Sequence, residues 1–205
     1  MLKVGLTGGY ATGKSFVAAE LEKLGCHVIY ADKLGHQALE PGGEAFGPTV
    51  DAFGGGILDA DGQIDRKKLG EFVFAAPELL KRLQDIVHPA VFAVEHRMLT
   101  ELAAGDPRGI AVIEAAILIE TGRYTAFDRL ILTECDKETQ IARGMKRDGL
   151  SREQVCARLE KQMPGEEKRK FAHYVVNTSG SKENTVLEIM RIYSELRGLP
   201  EVEHV

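Results

Sequence analysis

The sequence predicts an α/β fold, a parallel sheet flanked by helices, and three observations carry that reading. First, an apolar run around Val4 and Leu6 breaks into glycines and then resumes as an amphipathic segment carrying Val17, Leu21 and Leu24. Second, short apolar or branched segments recur at His27–Ala31, Ile110–Ile113, Arg129–Thr133 and His173–Asn177, with helical patterns between them. Third, two of these strand candidates deliver a carboxylate at their carboxyl end, Asp32 and Glu114. In an open parallel sheet that edge is where ligands bind.

The glycine break reads Gly8-Gly9-Tyr10-Ala11-Thr12-Gly13-Lys14-Ser15. Backbone N–H groups converge on phosphate oxygens only where the chain curls tightly without Cβ atoms in the way, which accounts for Gly8 and Gly13. The loop feeds a helix amino terminus, whose unpaired N–H groups and dipole favour anions. Gly8, Gly9, Ala11, Thr12 and Gly13 are therefore expected to cradle nucleotide phosphates. Lys14 would reach the β and γ phosphates and the Ser15 hydroxyl would ligate Mg²⁺. A plain glycine-rich turn would need neither Lys14 nor Ser15. The helix is expected to end near Gly25.

The 205 residues suffice for one substantial core with a small lid or insertion. Hydrophobic residues at 44% and charged residues at 28% match an ordinary soluble globular chain rather than a disordered one. With 26 Lys and Arg against 31 Asp and Glu, the formal charge of -5 gives little pull toward nucleic acid or acidic membranes. The first strand begins almost at Met1, and no apolar run is long enough to span a bilayer, so a cytoplasmic protein is expected. No obligate protein partner is evident. Cys26, Cys135 and Cys156 are widely spaced and are read as free thiols.

Between the second and third strands, residues 38–104 read as a helical insertion on the acceptor side of a single domain spanning 1–205. Within it, Phe46, Val50 and Phe53 suggest a short helix ended by Gly54-Gly55-Gly56. Asp59, Asp61, Gln63 and Asp65 lack the glycine and terminal glutamate of a calcium loop, so a capped turn is the expectation. From Ala76-Pro77 to Ala104 the pattern is helical, with Pro89 expected to start or bend a second helix. His88 before it is ambiguous, more often a packed or capping residue than a ligand contact.

Residues 137–168 read as a lid hairpin. Asp136 is positioned to cap a helix with Ile141 and Met145 on its apolar face, and Ser151 with Gln154 forms a capping box for the next. Gln140, Arg143 and Arg147 share a polar face, with Arg158 and Gln162 spaced alike on the second helix. Such arginines are commonly solvated cations. Beside a phosphate loop, Arg143 and Arg147 are expected to take phosphate roles, because the guanidinium fork suits phosphoryl oxygens. The last helix, capped by Ser181, is expected to turn Val186, Ile189, Met190 and Tyr193 inward and to end at Gly198 and Pro200, with a frayed tail to Val205.

A loop of this kind serves switches, motors and phosphotransferases alike, and fold alone does not choose. The chain carries no Asn-Lys-x-Asp element for guanine and is short for a motor ATPase. The reading is a P-loop nucleoside-triphosphate-hydrolase fold of nucleotide-kinase type, a small kinase. Asp32 is the candidate catalytic base, combining a carboxylate with a strand-end position near the loop; a role as a Mg²⁺ water ligand or helix cap is the alternative. Lys14 and Arg143 complete the catalytic candidates. Glu114 is a candidate acceptor-side residue or Mg²⁺ contact through water.

In order along the chain, the motifs resemble those of the dephospho-coenzyme A kinase family. Gly5-Leu6-Thr7-Gly8-Gly9 with Gly13-Lys14-Ser15 is similar to its opening, and Tyr30-Ala31-Asp32 retains the second aspartate of its Asp-Ala-Asp strand end. Phe53-Gly54, Leu58 through Gly62, Asp65-Arg66 with Leu69, and His88-Pro89 follow. Gln140, Arg143, Arg147-Asp148-Gly149-Leu150, Arg158, Gln162 and Asn177-Thr178-Ser179-Gly180 complete the series. The resemblance implies transfer of the γ-phosphoryl of ATP, with Mg²⁺, to the ribose 3'-hydroxyl of dephospho-CoA. It also implies an adenine contact at Asn177 and an acceptor pocket formed with Asp32, His88 and Glu114. Another small-molecule or nucleoside kinase, or a regulatory nucleotide-binding module without acceptor chemistry, stands as the alternative. The chain departs from the family at Glu114 through Glu120, at Ala11, which replaces a glycine and is expected at negative φ, and at Ala172-His173. No role is assigned to His173.

Overall fold

A computed structural model describes residues 1–73 and 76–199. Five strands, β1 (Leu2–Gly8), β2 (His27–Tyr30), β3 (Ile110–Glu114), β4 (Arg129–Glu134) and β5 (Tyr174–Asn177), form one sheet in the order β2-β3-β1-β4-β5. Every neighbouring pair is parallel. All five residues of β3 are buried, as are Val4 to Gly8 of β1. Strands covered on both faces read as continuous apolar runs, which is why these were legible without alternation.

Helix α1 (Lys14–Lys23) leaves the central strand after five loop residues, and its Val17, Ala18 and Leu21 pack on Val4 and Leu6. Gly25 follows at φ 96, the left-handed turn that ends the helix where expected. Register aligns the carboxyl ends of the strands on one edge. Tyr30 and Leu6 both face Glu114, Gly8 faces Thr133, and Glu134 faces Asn177. The phosphate loop thus starts at the middle of that edge.

The chain forms two compact units, Met1–Tyr30 with Leu102–Val205, and Ala31–Glu101. The first holds the sheet and the helices α6 (Lys137–Asp148), α7 (Arg152–Glu160), α8 (Gly165–Arg169) and α9 (Lys182–Arg197). The second holds α2 (Ala31–Ala38), α3 (Phe46–Phe53), α4 (Arg66–Val73) and most of α5 (Pro77–Gly105). It has its own small cores, one of Ile57, Ile64, Leu69 and Val73 and another of Ala38, Ala45 and Ala90. Asp59 accepts from the N–H groups of Asp61 and Gln63, and Asp65 from those of Lys67 and Lys68, so this acidic stretch is a capped turn.

Several expectations need correction. Residues 77–105 form one continuous helix, with Pro89 inside it rather than at a start; a buried face flanking the proline (Ala90, Val91) holds the helix together where one main-chain donor is missing. Helix α2 begins at Ala31, so Asp32 lies in a first helical turn. Met145 and Met190 point outward, at 39% and 48% exposure. On α9 the inward stripe is Thr185, Ile189, Ile192 and Leu196, one step round the helix from the stripe read from sequence. The expected tail, Pro200 to Val205, lies outside the described residues. No helix among the described residues is long and apolar enough to cross a membrane.

Candidate active site

The loop is braced from beneath by threonines. Thr12 Oγ1 donates to Gly9 O at 2.8 Å and meets Thr133 Oγ1 at 2.7 Å, and Thr178 Oγ1 donates to Thr12 O at 2.8 Å. Thr7, Thr12, Thr133 and Thr178 are all buried. Hydroxyls are suited here because they satisfy main-chain groups that glycine-rich curvature leaves without ladder partners. Sequence reasoning missed Thr133 and Thr178 as supports; the available signal was a hydroxyl at the carboxyl end of each otherwise apolar strand.

A Cβ at Gly8 would stand 2.1 Å from Thr133 Oγ1 and 2.6 Å from Thr133 O, so only glycine fits. Gly13 sits at φ 85 and is the amino-terminal boundary of α1, which has no side-chain cap. By contrast, Asp136, Ser151 and Ser181 cap α6, α7 and α9. Ala11 does not take the expected negative φ. It lies at φ 57, the only such non-glycine residue among those described, held there while buried against the loop.

Lys14, the first residue of α1, folds back so that Nζ donates to Gly8 O at 3.0 Å and Gly9 O at 3.2 Å. Its cation therefore stands over the loop. Ser15 is exposed in the first turn of α1. An exposed hydroxyl is a hard oxygen donor of the kind Mg²⁺ accepts. No cluster of three or more His, Cys, Asp or Glu residues that could hold a metal occurs among the described residues. A magnesium ion would thus be shared with phosphates and water rather than caged by protein, and the donor set fits that mode. Glu114 is 5% exposed, at the end of β3, and with Glu22 and burial it raises the Tyr30 phenol above its usual range, burial contributing most.

Helices α6 and α7 meet the loop directly. Gln162 Oε1 accepts from the Tyr10 N–H at 2.7 Å and Gln140 Nε2 donates to Tyr10 O at 2.8 Å. Arg143 makes two bonds to Thr178, to Oγ1 at 2.8 Å and to the carbonyl at 2.6 Å. Arg147 and Arg158 lie over the Tyr10 ring, their guanidinium carbons 4.8 and 5.7 Å from its centroid. Both pair with Asp148, whose carboxyl is held down at about 2 chiefly by Arg147, then by the Tyr10 hydroxyl. Burial raises the Tyr10 hydroxyl itself, and Asp148 adds to the rise.

Asn177, the last residue of β5, is exposed; its Oδ1 accepts from Ser179 N–H at 2.8 Å. Asn177 and Ser179 line a cavity of about 1020 Å³ together with Gly9, Thr12, Gln140 and Gln162. In this first unit the structure therefore brings together the predicted loop, Lys14, Arg143, Arg147 and Asn177. Glu114 also lies in this unit, and the second unit holds Asp32 and His88. Asp32 is exposed, two residues beyond Tyr30 and one turn before His36. His88 is half-buried on α5, its ring stacked on Phe92 at 5.7 Å, four residues on.

With this geometry in hand, a family profile described as dephospho-CoA kinase matches residues 2–184. The chain belongs to the dephospho-CoA kinase family. The dephospho-CoA kinase of Geobacter sulfurreducens is 45% identical over 193 residues, 94% of this chain and 97% of that protein. Among solved structures, a Thermus thermophilus protein aligns with a TM-score of 0.82 at 34% identity, over 95% of this chain and 97% of that one. The dephospho-CoA kinase from Campylobacter jejuni aligns with a TM-score of 0.63 at 28% identity, over 95% and 96%. The family assignment makes the chain an ATP-dependent phosphotransferase with an alcohol acceptor. The alternative of a regulatory module without acceptor chemistry gives way to it.

Proposed function

We propose that the protein moves the γ-phosphoryl group of ATP onto the ribose 3'-hydroxyl of dephospho-CoA, in the cytoplasm, with Asp32 as the base. The observation that carries this reading is the uncapped amino terminus of α1, with Gly13 turned at φ 85 and the Lys14 amine held over the loop. Main-chain donors of Gly8, Gly9, Ala11, Thr12 and Gly13 bind the phosphates, and Lys14 neutralises charge that develops on the transferred group. Residues 137–168 act as a lid, from which Arg143 and Arg147 approach the polyphosphate and exclude water. The ring of adenine lies by Asn177, a reading supported by the cavity that Asn177 shares with Gly9 and Thr12.

Asp32 accepts the 3'-hydroxyl proton as that oxygen bonds to the γ-phosphorus and the bridging oxygen leaves with ADP. Its exposed carboxylate, two residues beyond the end of β2, supports the role. His88, within the acceptor-side insertion of residues 38–104, and Glu114, at the end of β3, contact the acceptor. Ser15 would hold Mg²⁺, with Asp32 or Glu114 reaching its water shell; the bound ion supplies charge neutralisation at the β and γ phosphates.

Asp32→Asn tests the assignment. ADP release with dephospho-CoA, nucleosides and nucleoside monophosphates as alternative acceptors is compared in the native and variant proteins, beside MgATP titration. The variant is expected to bind MgATP as the native protein does, yet to lose turnover by about 10²-fold or more; Lys14→Ala is expected to impair both. Full turnover in Asp32→Asn would remove it as the base.

A further inference from the structure

Five side chains from α6, α7 and the segment after it converge on a single loop residue. Gln140 and Gln162 grip the Tyr10 main chain, Arg147 and Arg158 lie over its ring, and its hydroxyl donates to Asp148. Two guanidinium groups so close together repel. The face of an aromatic ring and a carboxylate that accepts from both offset that repulsion, and Asp148 bonds Arg147 Nε at 2.8 Å and Arg158 Nη1 at 3.2 Å. The cluster keeps a net positive charge, since two cations meet one carboxylate. Helix α6 is shaped for the ring as well. Its buried interior glycine, Gly144, faces it, and a Cβ there would stand 2.6 Å from Tyr10 Cε1. Glycine is a much poorer helix former than alanine, so the space it leaves has a structural use.

We propose that Tyr10 is a positioning residue, which sets Arg147 and Arg158 in register with the phosphate loop before ATP binds. The proposal rests on the nucleotide-binding reading of the loop given above. An arginine on a free helix face must be ordered when it meets a phosphate. Here the loop's own side chain carries out that ordering in advance, so the cations meet the polyphosphate pre-aligned. Tyr10 acts through the arginines and takes no proton.

The experiment is a double-mutant cycle on the full-length protein, read by MgATP calorimetry and by kcat and KM for ATP with dephospho-CoA as acceptor. Tyr10→Leu is expected to weaken MgATP binding and kcat/KM about tenfold, because ring and hydroxyl are both lost. Tyr10→Phe keeps the ring and is expected to recover all but about threefold. Arg147→Ala should cost severalfold less in the Leu background than in the native one, the mark of a residue acting through the arginine. Additive losses, or native MgATP affinity in Tyr10→Leu, would overturn the proposal. Where Tyr10→Leu fails to fold by circular dichroism, Tyr10→Phe combined with Asp148→Asn gives the same decision, coupling supporting it and additivity refuting it. Should the native protein bind MgATP but transfer nothing to dephospho-CoA, the proposed function fails, while calorimetry alone still decides the role of Tyr10.

Discussion

Ala11 and His173 carry the most information per atom. A non-glycine residue at φ 57 is disfavoured by about 1 kcal/mol or a little more, whereas glycine there would lose more freedom on folding, by about 0.5–1 kcal/mol. The steric term wins narrowly. Ala11→Gly is therefore expected to raise stability by about 0.5 kcal/mol in urea titration. His173, assigned no role from sequence, accepts the Leu130 N–H on Nδ1 while its own N–H donates to Leu130 O, so it opens the β4–β5 ladder. Burial, with Arg129 nearby, lowers its pKa. The unfolded chain then takes up the proton more readily than the folded one. This contribution is complete above about pH 6.5 and fades as pH falls below that value toward the lowered one. Accordingly, the stability difference between native protein and His173→Leu should shrink between pH 7.5 and 5.5 in thermal unfolding. Sequence offered no hint of this, because the ring's partner is a main-chain group 43 residues away.

At the scale of elements, caps were the most legible features. Asp136, Ser151 with Gln154, and Ser181 all accept from the main-chain donors their spacing implied. The capping box of α7 is complete, so Ser151→Ala is expected to lower stability by about 1 kcal/mol in the same urea assay, with faster amide exchange confined to the first turn of α7. Local chemistry decides such positions, which is why one sequence suffices to read them. A helix start at Pro89 does not occur, although a helix boundary is the common response to proline. Here packing on both sides of it outweighed the local preference. Met190 turns outward because the buried stripe of α9 runs through Thr185, Ile189, Ile192 and Leu196, which places Met190 on the far side of the helix.

Across the whole molecule, the phosphate loop and its strand were readable because the motif demands its own context. The grip of Gln140 and Gln162 on Tyr10 was not, since helical spacing says that two side chains share a face but not what that face meets. The distribution of buried apolar area makes a further prediction. Strands β1, β3 and β4 are sealed on both faces, whereas the core of Ile57, Ile64, Leu69 and Val73 is small. Hydrogen exchange is expected to be slowest in β1, β3 and β4 and markedly faster in α4, read by mass spectrometry; equal protection would show a single cooperative unit.

That segregation has an engineering consequence. The stretch that begins at Ala31 and closes at Glu101 brings its own apolar clusters, while the threonine bracing and arginine register of the loop draw only on residues outside it. Under the proposed function, a chimera that keeps Asp32 and exchanges residues 33–101 would retain the phosphate-binding residues and the base, leaving the acceptor side open to redesign.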